Sequence, residues 1–408
     1  MKIAFISQPW NNVDPPLLST SIALWTYEVA TRLAREHDVI IYAKRNSRRG
    51  GFMYENVEYR YISTGIERRI RGLMPNLPGI SKTPSFGSPM FYLGYILKIA
   101  SDIRRKACDI IHIHNFSQFA PIVRRFNPKA KIVLHMHCEW LTQFRPRLIA
   151  RRLDSIDMIF GSSEYITGKI RNTFPQHAAR CHPLPNGVDI NHFSRPEKAA
   201  AGKYPLLLFI GRKNAHPAVE VLLQAFNRVL EVIPEARLRI IVPDADHPSR
   251  FSLGLAEDPL SRDTPPLHDS NLRLYSLLDE TTARRVSFAG FPPHHRLPEL
   301  LGSASVMIHS AGAEPPGVPV LEAMAAGIPV VAAMAGGVSE VVDDGQTGFL
   351  VEHNNSDALA NALVKLIADS NLRASMGKAA KRKAADFFSW ESITDKLLWY
   401  YQNMQSYG

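Results

Sequence analysis

Cysteine is scarce in this sequence: Cys108, Cys138 and Cys181 are the three among 408 residues, and they are widely spaced. So few cysteines argue against a disulfide framework and are typical of the reducing cytosol. No apolar run approaches the ~20 residues that a membrane-spanning helix needs. The opening stretch MKIAFISQPW predicts a strand followed by a loop, not a secretory signal peptide. We therefore expect a cytoplasmic protein.

Two nucleotide-binding signatures are also missing. The dinucleotide fingerprint G-x-G-x-x-G follows the first strand of neither half, and the sequence has no Walker A loop. These absences argue against hydride transfer with a dinucleotide cofactor and against phosphate hydrolysis on a P-loop. No nucleic-acid-binding motif occurs either, so we expect no nucleic acid partner.

Strand-like and helical segments alternate in two series that meet near residues 183–202. The first series begins with the apolar run Lys2–Ser7 and the second with Pro205–Gly211. Strands that alternate with helices predict parallel sheets covered by helices on both faces. The sequence therefore predicts an α/β protein with two Rossmann-like, doubly wound domains. The amphipathic segment Trp390–Met404 predicts a final helix.

Positive charge is concentrated in the first part of the chain. Residues 1–180 contain 27 Lys and Arg against 13 Asp and Glu, a net charge of +14, whereas the remaining residues carry −4. Such a field favours an anionic partner, such as a lipid surface or a phosphorylated acceptor. The helical segment Met90–Lys106 is a candidate membrane contact, because apolar residues stand beside its basic end. For the charge, the alternative is an ordinary basic surface. For the helical segment, the alternative is a helix whose apolar face packs in the core.

The segment AEPPGVPVLEAMAAGIPVV, residues 313–331, carries two glutamates eight positions apart. The Pro-Pro-Gly between them restricts the backbone, and the proline two positions later suits the first turn of a helix. Glu314 therefore precedes a helix N-terminus near Val318, and Glu322 lies about one turn inside the helix. A helix N-terminus attracts anions. Taken alone, the pair is also consistent with a capping carboxylate and an ordinary helix-surface glutamate.

Several motifs between residues 185 and 351 resemble those of one family. They are Pro185-Asn186-Gly187-Val188-Asp189, Gly211-Arg212 after a strand, the Glu314-x7-Glu322 pair with its Ala-Gly-Ile-Pro-Val-Val tail, Gly336-Gly337-Val-Ser-Glu340, and Asp344-Gly-Gln-Thr-Gly348-Phe-Leu-Val. Together they are similar to the donor domain of the retaining glycosyltransferases of family 4, also described as group 1.

That resemblance implies the GT-B fold, in which two Rossmann-like, doubly wound parallel-sheet domains face each other across a cleft that holds the active site. It implies an acceptor domain over residues 1–186 and a nucleotide-sugar donor domain over residues 187–387. It also implies that the C-terminal helix, residues 388–408, crosses back to the first domain.

The resemblance also implies roles for individual residues of the donor domain. Glu314 would contact the donor sugar, and Glu322 would bind the ribose hydroxyls, since ionised carboxylates accept strong hydrogen bonds. Arg212 would neutralise the leaving diphosphate. Further backbone near the sugar would come from the start of the helix, at Pro316, Gly317 and Val318.

Two His-x-His pairs lie on predicted strands, His112 with His114 and His135 with His137. Members of each pair share one face of a strand. The resemblance places His137 where the family often has a histidine near the donor sugar, and His135 is the competing candidate. The pairs also suggest a metal, but no carboxylate completes a ligand set and the family needs no metal for catalysis. We therefore expect neither a bound metal nor a cofactor. A further pair, His294-His295, is expected in a loop near the nucleotide base.

Two positions depart from the family pattern. Where the family usually has Gly-Gly after the first strand, this chain has Leu17-Leu-Ser-Thr-Ser21. Where it usually has a lysine five residues after the arginine, this chain has Pro217, and Lys213 or His216 would have to supply a cation instead. Diphosphate binding is therefore expected to be weaker or differently built, and loss of activity is an open alternative.

The resemblance thus implies a metal-independent retaining glycosyltransferase. It would move a sugar from a nucleoside-diphosphate-sugar, a UDP-sugar in preference to a GDP-sugar, to an acceptor hydroxyl. The acceptor is not identified; the basic first domain favours an anionic or lipid-linked one and leaves open peripheral contact with the inner membrane face. The alternatives are a nucleotide-sugar epimerase or phosphorylase on the same fold, and a catalytically impaired family member that acts as a binding protein.

Overall fold

The structure of the protein is a computed structural model. It describes residues 1–15, 17–18, 20–45, 51–65, 67, 88, 90–194, 204–211, 216–241, 278–289, 292, 294–309 and 317–404. The chain divides into two compact units, Met1–Asn186 with Trp390–Gly408, and Gly187–Ser389. The boundaries between the two units therefore fall after residue 186 and after residue 389. The resemblance implies the second boundary after residue 387.

The strands of the first unit are β1 Lys2–Ile6, β2 Val13–Asp14, β3 Leu17–Leu18, β4 Asp38–Lys44, β5 Phe52–Tyr54, β6 Val57–Ile62, β7 Ile110–His114, β8 Lys131–Met136, β9 Met158–Gly161 and β10 Cys181–Pro183. Eight of them form one sheet in the order β10-β9-β8-β7-β1-β4-β6-β5, and β2 pairs with β3 separately. Within the large sheet the strands are parallel except for β5, which is antiparallel to β6. Because β1 pairs with both β4 and β7, the strand order reverses there, which is where open α/β sheets bind ligands.

The strands of the second unit are β11 Leu206–Ile210, β12 Arg237–Ile241, β13 Val286–Ala289, β14 Val306–His309, β15 Val330–Ala333 and β16 Gly348–Val351. They form a six-stranded sheet in the order β13-β12-β11-β14-β15-β16, and each neighbouring pair is parallel. The order reverses at β11, which lies between β12 and β14. Each unit is therefore doubly wound, as the alternation of strands and helices in the sequence predicts.

The α-helices of the described residues are α1 Ser21–Leu33, α2 Leu93–Lys106, α3 Ala120–Phe126, α4 Trp140–Gln143, α5 Pro146–Leu153, α6 Glu164–Thr173, α7 Ile190–Phe193, α8 His216–Val232, α9 Glu280–Ala283, α10 Leu297–Ser303, α11 Val318–Ala325, α12 Val338–Val341, α13 Ser356–Ala368, α14 Ser370–Phe388 and α15 Trp390–Asn403. The final helix, α15, belongs to the first unit. None of these helices is long and apolar enough to span a membrane.

Each of the two large sheets is buried on both faces. In β1, Ala4 and Ile6 belong to one core of the first unit, and Ile3 and Phe5 belong to the core on the other face. This follows from the two-residue period of a strand, which sends successive side chains to opposite faces. The core around Phe5 also holds side chains from α1 and α15, among them Trp25, Trp390 and Tyr401.

Helix α2 packs its apolar face into the first unit, which decides between the two interpretations of Met90–Lys106. Tyr95, Ile96 and Ile99 have no exposed surface. The membrane interpretation of this helix face is therefore wrong, because these side chains are already buried in protein. The helix also begins at Leu93 and not at Met90, since Tyr92 is in the left-handed region at φ 58°.

An ionic network ties α2 to the sheet of the first unit. The carboxylate of Asp102, 6% exposed, lies 2.5 Å from Arg60 Nε and 2.7 Å from Arg105 Nη2, and it accepts a hydrogen bond from the Tyr42 hydroxyl at 2.9 Å. Burial by itself would raise the pKa of this carboxyl. The hydrogen bonds from Arg105 and Tyr42 and the charge of Arg60 outweigh burial, so the pKa of Asp102 lies below its ordinary value.

Helix α14 is a 19-residue element that the sequence pattern does not predict. Its buried residues are mostly small or flexible, including Met376, Gly377, Ala380 and Ala384, so the apolar stripe is weak. Small residues allow close approach: a Cβ added at Gly377 would lie 2.1 Å from the carbonyl oxygen of Gly327, just beyond α11. Glycine at position 377 is therefore needed for α14 to pack there.

Candidate functional site

Helix α11 follows the carboxyl end of β14 in the second unit. It starts at Val318 after Gly317, whose extended backbone (φ −64°, ψ 146°) occupies the N-cap position. Pro319 has no N–H, and the N–H of Val320 donates to the carbonyl of Gly317 at 3.0 Å. The predicted donor-site residues Gly317, Val318 and Glu322 thus lie together in the first turns of one helix.

Glu322 is a buried carboxylate whose two oxygens have different surroundings. The side chain is 2% exposed, and Oε1 accepts a hydrogen bond from His294 Nε2 at 2.8 Å. Among the described residues, Oε2 is buried without a hydrogen-bond partner. A buried carboxylate oxygen without a partner is costly, so a ligand hydroxyl that donates to it would be bound strongly.

His294 holds the carboxylate from the 3₁₀ turn that precedes α10. Its ring stacks on His192 at a centroid distance of 5.7 Å and meets Phe193 edge-on at 5.6 Å. The sequence places His294 in a loop but does not connect it with Glu322, since 28 residues separate them. The only signal was its place after a strand of the donor domain, where ligand-binding loops occur.

Three predicted site residues, Arg212, Glu314 and Pro316, lie outside the described residues. The same holds for Lys213 and for the side chains of His216 and Pro217. The roles that the resemblance implies for them stay predictions.

In the first unit, β7 and β8 are parallel neighbours that end at the same edge of the sheet. The residue after β7 is Asn115, and the residue after β8 is His137. Asn115 adopts a left-handed conformation, φ 61°, which asparagine tolerates better than most residues. Its N–H donates to the carbonyl of His135 at 2.9 Å, and its Oδ1 accepts from the backbone N–H of His137 at 2.7 Å. Asn115 therefore fixes the backbone that carries His137.

Four histidine rings form a cluster at this edge, here called the histidine cluster: His112, His114, His135 and His137. The ring centroids of His135 and His137 lie 4.0 Å apart, and those of His114 and His137 lie 5.1 Å apart. The first three side chains have no exposed surface, whereas His137 is partly exposed. Burial lowers the pKa of each of them, to about 3 for His137. All four imidazoles are therefore neutral at neutral pH.

His135 and His137, the two candidates for contact with a donor sugar, differ in exposure. His135 Nε2 lies 3.2 Å from the carbonyl oxygen of Leu184, and this ring is sealed in the core. His137 is the member of the cluster with exposed surface, at the strand end where ligands bind in such sheets. Three members of the cluster form a candidate metal site. Each of His112, His114 and His135 offers one ring nitrogen, and these three nitrogens lie within 4.8 Å of one another.

Comparison with known families identifies the chain. The model of Glycosyltransferase Family 4 matches residues 22–192, and that of Glycosyl transferases group 1 matches residues 191–383. The chain belongs to the family 4, group 1 glycosyltransferases. The two matches together span most of the enzyme and agree with the resemblance of its motifs.

Relatives and solved structures agree with this assignment. The glycosyltransferase is 24% identical over 404 residues to the lipopolysaccharide 1,2-N-acetylglucosaminetransferase of Salmonella typhimurium strain LT2, covering 97% of each chain. It resembles the structure of sucrose-phosphate synthase from Thermosynechococcus elongatus with a TM-score of 0.75, at 18% identity and full coverage of both chains. It also resembles HepE from Anabaena in complex with UDP and glucose, with a TM-score of 0.68, 18% identity and full coverage. The expected GT-B fold is thereby confirmed.

Proposed function

We propose that this glycosyltransferase is a retaining, metal-independent enzyme that moves a sugar from a UDP-sugar to an acceptor hydroxyl. The observation that carries the proposal is the carboxylate of Glu322. One of its oxygens is held by His294, and the other is buried without a partner among the described residues. A ribose hydroxyl is a donor that would complete this site.

The start of α11 supports binding of the diphosphate. The proline at its second position has no N–H, so Gly317 and Val318 would offer the amides nearest to an anion there. The helix dipole adds the equivalent of about half a positive charge at this terminus. Arg212 would add a full charge and stabilise the leaving group.

The proposed reaction needs no protein nucleophile and no metal. The acceptor hydroxyl would attack the anomeric carbon on the face from which UDP departs, and the departing phosphate oxygen would take up the hydroxyl proton. Retention of the anomeric configuration follows from attack on that same face. His137 would contact the donor sugar as a neutral group, because burial holds its pKa at about 3.

The donor and acceptor classes rest on different observations. A UDP-sugar is supported by the HepE structures, which contain UDP, UDP with glucose, or UDP-glucose. An anionic or lipid-linked acceptor is supported by the net charge of +14 over residues 1–180. A cytoplasmic enzyme with peripheral contact to the inner membrane face would meet such an acceptor.

Nucleotide binding in the presence of EDTA tests the donor site first. Thermal unfolding would be followed with UDP, GDP, ADP and a panel of UDP-sugars. A ligand at a hundredfold excess over its dissociation constant stabilises the folded state by about 2.7 kcal/mol. We expect UDP to raise the melting temperature in EDTA and GDP to raise it much less. A shift that requires added Mg²⁺ would contradict metal independence, and a larger shift with GDP would reassign the base.

Product analysis tests the reaction itself. UDP release would be measured with and without candidate acceptors, and the anomeric configuration of the product would be read by proton NMR. We expect acceptor-dependent release and a retained configuration. Donor consumption without acceptor would indicate an epimerase, a requirement for orthophosphate a phosphorylase, and the absence of nucleotide binding by folded protein a catalytically impaired member.

A further inference from the structure

A short contact on α1 determines where the hydroxyl proton of Thr26 points. Thr26 Oγ1 lies 2.7 Å from the carbonyl oxygen of Ile22, one turn earlier in the same helix. Two oxygens at this distance need a hydrogen between them, and a carbonyl has none to donate. The hydroxyl of Thr26 must therefore donate to Ile22, and it can only accept from its other neighbour.

That other neighbour is His114. Its Nε2 lies 3.1 Å from Thr26 Oγ1, so Nε2 must carry the proton and donate it. The ring is buried and neutral, since burial lowers its pKa well below the ordinary value. A neutral imidazole has one protonated nitrogen, so Nδ1 of His114 is an acceptor.

The same reasoning extends to His137. Its Nε2 lies 3.0 Å from His114 Nδ1, which can only accept, so Nε2 of His137 must carry a proton and donate. With its second ring nitrogen unprotonated, His137 has a single tautomer. The backbone of the residue is held by Asn115, so both the position and the tautomer of this ring are set by hydrogen bonds.

We propose that Thr26 and His114 are positioning residues that hold His137 in the Nε2–H tautomer, so that Nδ1 is kept as a hydrogen-bond acceptor for a hydroxyl of the donor sugar. The contact with sugar rests on the proposed function. The tautomer itself follows from the three hydrogen bonds of the relay, which run from His137 through His114 and Thr26 to Ile22.

A metal ion in the histidine cluster is the competing interpretation, and the relay argues against it. Both ring nitrogens of His114 already have partners. Among the described residues, the nitrogens of the candidate metal group that lack one are His112 Nε2 and His135 Nδ1. A three-histidine site would have to take one ring nitrogen of His114 from Thr26 or from His137, and either exchange would break the relay. The metal content of the purified enzyme decides between the two.

The tautomer can be measured without any activity assay. Two-bond proton–nitrogen correlation spectra of the full-length enzyme, labelled with ¹⁵N-histidine, distinguish protonated from unprotonated ring nitrogens. His137 would be assigned by comparison with His137→Gln. We expect Nε2 protonated and Nδ1 unprotonated in both His114 and His137, from pH 6 to pH 8. A protonated Nδ1 in His137, or a stoichiometric metal bound to the cluster, would overturn the proposal.

Kinetics test what the relay does. Thr26→Val keeps the shape of the side chain but removes the acceptor, whereas Thr26→Ser keeps the hydroxyl. We expect Thr26→Val to lower kcat by about 10- to 100-fold, as a misplaced catalytic-site group does, with KM for the donor unchanged. The same spectra should show mixed tautomers in Thr26→Val. Thr26→Ser should retain the single tautomer and most of kcat.

Thr167→Val is the matched control. Thr167 is also buried, and its hydroxyl donates to a helix carbonyl, that of Ser163, at 2.7 Å. An equal loss of kcat in Thr167→Val and Thr26→Val would mean that the effect is general destabilisation, and would refute the positioning role. If the wild-type enzyme transfers no sugar, the proposed function fails, and the spectra still confirm or refute the relay.

Discussion

Replacing Glu322 by leucine should separate ligand binding from folding. The substitution is expected to weaken the binding of UDP but not to lower the free energy of unfolding. In the free enzyme, Glu322→Leu removes a buried oxygen that lacks a partner among the described residues, and such an atom costs about 1–3 kcal/mol. It also removes the hydrogen bond from His294, whose side chain is 41% exposed and can donate to water instead. We therefore expect the free energy of unfolding to stay unchanged or to rise by up to about 2 kcal/mol.

Binding of UDP should weaken in the same variant. A hydrogen bond to a charged group contributes about 1.5–3 kcal/mol, and the substitution removes at least one bond to the ribose. At about 1.4 kcal/mol for each factor of ten, the dissociation constant for UDP should rise by about 10- to 150-fold. Calorimetric titration with UDP in EDTA gives this constant, and urea unfolding without ligand gives the stability.

The control is Glu231→Leu, which makes the same change at an exposed position of α8 in the same unit. It should leave the affinity for UDP unchanged. If Glu322→Leu binds UDP as tightly as the wild type, Glu322 is not the ribose ligand. If the variant loses several kcal/mol of unfolding free energy together with affinity, the carboxylate is a structural group and the reasoning from its unpartnered oxygen is wrong.

Two further predictions concern the packing and the ionic network of the fold. Gly377→Ala should lower the free energy of unfolding by at least about 1–3 kcal/mol, because the added Cβ would meet a backbone carbonyl at 2.1 Å. Gly302→Ala is the control, because its added Cβ meets nothing within 4 Å, and it should be neutral or stabilising by up to about 1 kcal/mol. Equal losses of unfolding free energy in Gly377→Ala and Gly302→Ala, measured by urea unfolding, would refute the packing argument. Asp102→Asn should destabilise the enzyme by about 1–3 kcal/mol near pH 7, since it leaves Arg60 and Arg105 without their buried partner. The folded-state pKa of Asp102 is lowered, so its contribution to stability is complete above the unfolded pKa of about 3.9 and is lost as pH falls through the folded value. The difference in free energy of unfolding between Asp102→Asn and the wild type should therefore shrink below about pH 4. A difference that stays constant with pH would contradict the ionic origin.

Much of the fold could be predicted from the sequence because it rests on local patterns. The apolar runs Lys2–Ser7 and Pro205–Gly211 lie within a residue or two of β1 and β11, since strands buried on both faces read as continuous apolar segments. The start of α11 could be predicted from the proline and glycine pattern around Gly317 for a similar reason. Helix α14 could not, because its contacts depend on the small size of its buried residues, which leave little periodicity.

The same distinction applies to the candidate site. The spacing of its motif singled out Glu322, whose stretch is characteristic of the family. The resemblance to the family placed His137 near the donor sugar, with His135 as the competing candidate. Their partners are distant along the chain: His294 lies 28 residues from Glu322, and Thr26 lies 88 residues from His114. No local pattern pairs such residues, since each contact exists only when separate elements pack together.

By itself, the sequence determined the family, the two α/β series, the concentration of positive charge in the first 180 residues and the placement of Glu322 on a helix start. These properties depend on residue type and on spacings of a few positions, which the chain carries before it folds. The tertiary structure decided which oxygen of Glu322 is occupied, which face of α2 is buried, and which tautomer His137 adopts. Those properties depend on burial and on which hydrogen-bond donors and acceptors meet when elements far apart in the chain pack together.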